Sequence, residues 1–241
     1  MEKKEFGLLG KNISYSFSKK YFEEKFKKLF LQNHSYNFFD ISEIESINSV
    51  FENQNLAGIN VTIPYKQAVI PFLDELSDEA SKIGAVNCIS FQNGKKIGYN
   101  TDAFGFEKTL LINKKEHHKK ALILGDGGAA KAVRYILDKH NIEHQTVSRK
   151  SEINFENLSE DLVRDSLLII QTTPVGTFPN VDDSVAFPFN AITDKHYVID
   201  LIYNPSETAF LRKSAEKGAT TLNGFYMLEQ QAEKAWAIWK S

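Results

Sequence analysis

The stretch "ALILGDGGAAKAVRYIL" (Ala121 to Leu137) constrains this chain more than any other: an apolar run enters a glycine turn and leaves it as an Ala-rich helix. A strand, tight turn and helix in that order open a βαβ crossover, which lays the next strand parallel to the first under a layer of helices. Strand-like runs recur at His144 to Ser148, Leu167 to Gln171 and Tyr197 to Leu201, each about one crossover apart. The fold class is therefore α/β.

The N-terminal half alternates in the same way. Phe6 to Leu9 reads as a strand, and Ser18 reads as the N-cap of a helix whose Phe22, Phe26, Leu29 and Phe30 share a face. Tyr36 to Ile41 is a second strand, and Glu43 to Phe51 carries Ile44, Ile47 and Phe51 on one helical side. Ile59, Val61 and Ile63 alternate along a third strand that Pro64 stops. In "NCISFQNGKKIGYNTD", Asn93-Gly94 predicts a two-residue type I′ hairpin. With Gln92 facing Lys95, Asn87 falls opposite Asn100, and Asn87, Asn100, Thr101 and Asp102 gather at the open end. Either these four converge on a ligand, or Thr101 or Asp102 simply caps the helix that Phe106, Leu110 and Leu111 suggest. The basic stretch Asn113 to Lys120 is the expected domain boundary region, with His117 and His118 in a solvated loop. Gly224 to Ser241 reads as a final helix with Met227, Leu228, Ala232, Ala235, Trp236 and Trp239 on its apolar side.

A chain of 241 residues forms one large domain or two small ones, and its 42% hydrophobic and 25% charged residues suit a packed globular protein. The formal net charge of -2 gives no electrostatic reason to seek nucleic acid or an anionic membrane. Met1 to Gly10 is too short in apolar residues for a signal peptide or a span, so the expectation is a cytoplasmic protein. The single cysteine, Cys88, excludes an internal disulfide and reads as a small buried hydrophobe. No His-x-x-x-His or Cys-x-x-Cys spacing points to a metal.

Gly125, Gly127 and Ala130 make a G-x-G-x-x-A pattern in the context that gives it meaning, after a strand and opening a helix. The first glycine allows the turn, the second lets backbone approach a pyrophosphate, and the alanine lets helix and strand pack closely. Without a ligand the same residues make an ordinary strand-to-helix turn. Where an NAD site offers an acidic residue to the ribose, this chain has Ser148-Arg149-Lys150, which suits the 2′-phosphate of NADP; a solvated turn is the alternative, and Glu152 lies nearby. Asp126 inside the turn is expected to point away from phosphate or to pair with Lys131 or Arg134.

"YSFS", "NVTIPYK", "GAVN", "NTD", "GDGGAA", "VSRK", "TTPVG", "DLIYNPSETAFL" and "NGFYMLEQQA" follow one another in an order that resembles the shikimate dehydrogenase family along essentially the whole chain. The resemblance implies a two-domain enzyme: an α/β substrate domain over residues 1–102, with the helix 223–241 packing back on it, and a doubly wound Rossmann-like NADP domain over 103–222, with the cleft between them. It implies NADPH-dependent reduction of 3-dehydroshikimate to shikimate in aromatic amino acid biosynthesis. It assigns the substrate carboxylate to Ser16 and Ser18, the ring hydroxyls to Thr62, Asn87, Asp102 and Gln231, a place near the carboxylate to Tyr203, and catalysis to Lys66 with Asp102. NADP(H) then rests on Gly125, Gly127, Gly128, Ala129, Ala130, Ser148, Arg149, Lys150, Thr172, Leu201 and Gly224. The chain departs from the family at Tyr15 and Lys19, where histidine and proline are usual, at Asp126 for alanine, and at Tyr226 for a second glycine.

Two other readings stand beside this one: a quinate/shikimate dehydrogenase using NAD, and a non-catalytic shikimate-binding sensor of the same fold. Lys66 and Asp102 are both present and no DNA-binding appendage is evident, which argues against the sensor. The expected partners are a small-molecule substrate and cofactor, with no nucleic acid or membrane, in a monomer or homodimer.

Overall fold

A computed structural model of the chain describes residues 2–13 and 16–241. Tyr15, where the resemblance leads to an expected histidine, lies outside the described residues. The chain divides into two compact units, Met1–Thr101 with Ala232–Ser241, and Asp102–Gln231.

The first unit is built from β1 (Lys4–Gly10), α1 (Phe17–Lys28), β2 (His34–Asp40), α2 (Ile47–Phe51), β3 (Leu56–Val61), β4 (Glu75–Leu76), α3 (Asp78–Ile83), β5 (Cys88–Gln92) and β6 (Lys95–Tyr99). Its sheet runs β2-β1-β3-β5-β6-β4. β1 is parallel to β2 and β3, whereas β5 is antiparallel to both β3 and β6. The hairpin forms in the expected register, Gln92 opposite Lys95, and positive φ at both Asn93 (52°) and Gly94 (76°) marks the type I′ turn.

Three local expectations are corrected. Ser16, not Ser18, is the N-cap of α1: its backbone is extended and its Oγ accepts the Ser18 N–H. β3 ends at Val61 and Ile63 is 70% exposed, because the chain turns at Thr62, whose carbonyl accepts the Tyr65 N–H. Glu43 to Phe51 is not one helix but a 3₁₀ turn, Ile44–Ser46, followed by the short α2.

Both faces of this sheet are covered. Phe6, Phe22, Phe26, Tyr36, Cys88, Trp236 and Trp239 pack on one, and Leu9, Ile47, Leu56, Ile59, Val61, Val69 and Ile89 on the other. Burial of each large side chain contributes roughly 1.5–3 kcal/mol. Gly58 makes room for Trp239, since a Cβ there would lie 2.4 Å from the indole, whose Nε1 donates to the Ile89 carbonyl at 2.9 Å. Burial also pushes the Cys88 thiol well above its ordinary pKa, as suits an unreactive core residue.

The second unit takes in all but the first residue of α4 (Thr101–Asn113), then β7 (Lys120–Leu124), α5 (Gly128–Lys139), β8 (Glu143–Val147), α6 (Glu160–Asp165), β9 (Leu168–Gln171), β10 (Tyr197–Asp200), α7 (Ala209–Ala215), β11 (Thr220–Leu222) and the start of α8 (Phe225–Lys240). Its five strands, β11-β10-β9-β7-β8, are all parallel. After β8 the chain crosses to the other side of β7, so β7 and β9 flank the topological switch point. α5 buries Ala130, Ala132, Val133, Ile136 and Leu137, and the small Ala130 is fully enclosed. The loop before β7 holds another correction. His118 is 2% exposed rather than solvated, because its Nδ1 accepts the Lys115 N–H at 3.0 Å and its Nε2 donates to the Lys195 carbonyl at 3.1 Å. That pairing fixes the neutral ring with hydrogen on Nε2.

Candidate active-site residues on the two units

In the first unit, five of the expected residues lie at one end of the sheet. The parallel strands β1, β2 and β3 end at Gly10, Asp40 and Val61, and the antiparallel β5 begins there at Cys88. Asp40 accepts the N–H groups of Asn12 (2.9 Å) and Ile13 (3.3 Å), fixing the loop that delivers Ser16 and Ser18. Gly10 lets this loop and Thr62 approach, since a Cβ there would sit 2.5 Å from Ile13 Cγ2 and 2.6 Å from the Thr62 methyl. Thr62 leaves β3 with its N–H on the Leu9 carbonyl at 2.9 Å, so it stands beside β1. Lys66 is half-buried, and its carbonyl accepts the Val86 N–H at 2.7 Å, one residue before Asn87. Tyr65 anchors the turn by donating to the Ile41 carbonyl at 2.8 Å.

Asn87 is 3% exposed and its amide works in two directions: Oδ1 accepts the Thr101 N–H at 2.6 Å and Nδ2 donates to Thr101 Oγ1 at 3.0 Å. Asn87 thus holds the first residue of α4 from across the hairpin. Asn100 donates to the Ala85 carbonyl at 2.9 Å.

In the second unit, Asp102 stands in the first turn of α4 and is 7% exposed. One turn on, Gly105 lets α8 come close: a Cβ there would lie 2.6 Å from the Met227 carbonyl and 3.2 Å from Gln231 Cβ. Asp102 and Gln231 thus belong to two helices in direct contact. Tyr203 lies on the loop after β10, half-buried.

The expected cofactor residues gather at the C-terminal ends of the parallel strands, where open α/β sheets bind ligands. Gly125 follows β7 with φ of 116°, and a Cβ on it would lie 2.6 Å from Thr172 Oγ1, so the glycine turn and the end of β9 are immediate neighbours. Around a Cβ at Gly127 nothing lies within 4 Å, which leaves that backbone open to approach. Gly128 and Ala129 form the start of α5, where unpaired N–H groups favour an anion. Leu201 and Gly224 are pressed together, for a Cβ on Gly224 would fall 2.0 Å from the Leu201 carbonyl. Beyond β8, Ser148 is buried and spends its hydroxyl on Ser151 (2.7 Å) and the Lys150 N–H (3.2 Å), while Arg149 and Lys150 are exposed. Ser148 shapes the turn and the two cations face water. Asp126 pairs with Arg134 at 2.8 Å, one of its two expected partners.

Sequence reasoning missed the groups that hold these loops. Gln171, fully buried, accepts the Thr173 N–H and donates to the Thr173 and Val175 carbonyls. Asp200, also fully buried, accepts from the Ile202 N–H at 3.0 Å and the Thr208 hydroxyl at 2.7 Å, and burial raises its carboxyl pKa to about 6. Each is the sole polar residue ending an apolar strand run, a signal that was available.

A family profile described as the shikimate dehydrogenase substrate binding domain matches residues 8–89. The chain is 36% identical to the shikimate dehydrogenase (NADP(+)) of Desulforamulus reducens over 97% of this chain and 88% of that one. It is 40% identical to that of Clostridium beijerinckii, over 98% and 91%. Among solved structures, shikimate 5-dehydrogenase from Thermus thermophilus in complex with NADP(H) and shikimate superposes with a TM-score of 0.87 at 29% identity, covering 98% of this chain and 93% of that one. Quinate dehydrogenase from Corynebacterium glutamicum in complex with NAD superposes with a TM-score of 0.88 at 25% identity, covering 99% and 94%.

Proposed function

The chain belongs to the shikimate dehydrogenase family, and from that membership we propose that it catalyses the reversible NADPH-dependent reduction of 3-dehydroshikimate to shikimate, in aromatic amino acid biosynthesis. The observation that carries the reading is likeness over nearly the whole length to enzymes of one name, with the lysine and aspartate of the family's catalytic pair both present as Lys66 and Asp102. No helix among the described residues is long and apolar enough to cross a membrane, and we place the enzyme in the cytoplasm as a monomer or homodimer.

The first unit holds the hydroxy acid. Ser16 and Ser18 donate to its carboxylate, Thr62 and Asn87 bind ring hydroxyls, and Asp102, Gln231 and Tyr203 of the second unit complete the recognition. The second unit holds the dinucleotide. Its open backbone at Gly127, the start of α5 and the exposed Arg149 and Lys150 fit a pyrophosphate and a 2′-phosphate, with Ala130, Thr172, Leu201 and Gly224 lining the rest. NADPH, when bound, supplies the hydride. Lys66 as an ammonium donates a proton to the alkoxide that develops on the ketone oxygen, and as a neutral amine accepts it back in the reverse direction. Asp102 orients a substrate hydroxyl by accepting its proton in a hydrogen bond.

Oxidation of NADPH followed by absorbance with 3-dehydroshikimate tests the assignment. Lys66→Ala is expected to lower turnover by about 10² to 10⁴ while substrate affinity changes less. Undiminished turnover in that variant removes the lysine from the chemistry. Likeness to the NAD-bound quinate dehydrogenase supports a second reading, a quinate/shikimate enzyme using NAD. Competing quinate against shikimate and NAD against NADP separates the two, with shikimate and NADP expected to prevail.

A further inference from the structure

Lys66 is carried by a turn, not by a strand or helix. Residues 62–68 lie outside both kinds of element, and of these Tyr65 alone is buried, while Ile63, Pro64, Gln67 and Ala68 face solvent. The Tyr65 ring joins the core of Leu9, Ile47, Val69 and Ile89, and its phenol donates to the Ile41 carbonyl at 2.8 Å. The backbone around Lys66 is tied as well: the Tyr65 N–H donates to the Thr62 carbonyl at 2.9 Å, and the Val86 N–H to the Lys66 carbonyl at 2.7 Å. Ile41 is the junction to the rest of the site. Its own N–H donates to the Gly10 carbonyl at 3.0 Å, and the Asp40 carboxylate beside it accepts the Asn12 and Ile13 N–H groups. The Ile13 carbonyl in turn accepts the Ser16 N–H at 3.1 Å. Hydrogen bonds therefore run from the Tyr65 phenol through Asp40 and Ile41 to the serine that caps α1.

The path joins two parts of the site that act at different places on the substrate. Ser16 and Ser18 are assigned to its carboxylate, and Lys66 to the ketone being reduced. A grip on the remote carboxylate speeds the chemistry only to the extent that the proton donor keeps a fixed place relative to that grip. A loose turn would let substrate bind with the ammonium out of line, lowering turnover without weakening binding. The buried phenol removes that freedom, because its hydrogen bond fixes the main chain next to Lys66 against the same segment that fixes the serine loop. Phenylalanine at this position keeps the ring in the core and leaves the Ile41 carbonyl without this donor.

We propose that Tyr65 is a positioning residue, whose phenol ties the Lys66 turn through Asp40 and Ile41 to the loop that delivers Ser16 and Ser18, so that proton donor and carboxylate receptor are held as one body. This deepens the functional reading above and rests on it.

The test is steady-state reduction of 3-dehydroshikimate by NADPH with wild type, Y65F, K66A and Y65F/K66A, alongside NADP⁺ binding measured by calorimetry. Y65F is expected to lower kcat about five- to tenfold, the scale of one hydrogen bond, with the KM for 3-dehydroshikimate and the NADP⁺ affinity within about twofold of wild type. In the K66A background the same change should cost nothing further, since no lysine is left to place. A merely structural role predicts a lower denaturant midpoint with kcat unchanged, or losses that multiply in the double variant. Either result overturns the inference alone, as does a loss of NADP⁺ affinity that matches the loss of turnover. A wild type that does not reduce 3-dehydroshikimate overturns the functional reading, and this inference with it. Should Y65F not fold, amide exchange in D40N decides the matter. Weakening the hold on Asn12 and Ile13 should speed exchange of the Val86 N–H, which rests on the Lys66 carbonyl, and unchanged exchange there overturns the proposal.

Discussion

Asp126 shows how one residue is accommodated where its charge is unwelcome. A carboxylate would repel phosphate at the turn proposed to hold it, and here Arg134, one helical stretch on, draws it aside while also donating to Thr146 Oγ1 at 3.4 Å. The pair is partly exposed, so its worth to folding is about 0–1 kcal/mol at most. Its consequence falls on the cofactor. R134A is expected to raise the KM for NADPH about three- to tenfold at low salt by releasing the carboxylate, and D126A/R134A to restore it, with the difference shrinking as salt screens the charge. Steady-state kinetics at two ionic strengths check this, and a double variant as impaired as R134A would refute it.

At the scale of elements, the β5–β6 hairpin is the cleanest case of a sequence dictating structure. Gly94 has φ of 76° and nothing within 4 Å of where a Cβ would stand, so G94A meets backbone strain without a clash. It should lower stability by about 1 kcal/mol, read from the denaturant midpoint at unchanged m-value. Local signals of this kind, along with apolar strand runs and the glycine turn, made the parallel pairing of the second unit and the hairpin register readable in advance. What escaped depends on where a turn redirects the chain or on partners distant in it. Ile63 continues an alternating pattern yet leaves the sheet, because Pro64 and the Thr62 turn redirect it. His118 sits in a basic run but is buried by a carbonyl 77 residues away. Tyr36 and Asn60 look like ordinary strand residues until β2 and β3 flank β1 and bring them together. The candidate site divides likewise: its motif residues were legible, while nothing local showed that Gln171, and Asp200 at the head of "DLIYNPSETAFL", are buried and hold the loops.

For the whole molecule, two buried groups impose opposite pH dependences. Burial raises the Asp200 carboxyl from 3.8 to about 6, so the folded state holds this proton more tightly than the unfolded chain does. Its contribution to stability is full below about 4 and is lost as pH rises through about 6. Burial lowers the His118 pKa from 6.5, so its contribution is present above 6.5 and is lost on acidification below it. Melting temperatures from pH 4 to 8 should therefore change in opposite senses in D200N and H118Q. D200N removes the loss between pH 4 and 6, and H118Q removes the loss below 6.5; identical profiles in the two variants would contradict the assignment. The division of α8 between the units carries a further consequence for biosynthesis. Trp236 and Trp239, which complete the aromatic core around Phe6 and Phe22, leave the ribosome only after the entire second unit. Residues 1–101, made before the second unit, must thus wait for residues made after it, their indole sockets open to chaperones until those turns of helix arrive.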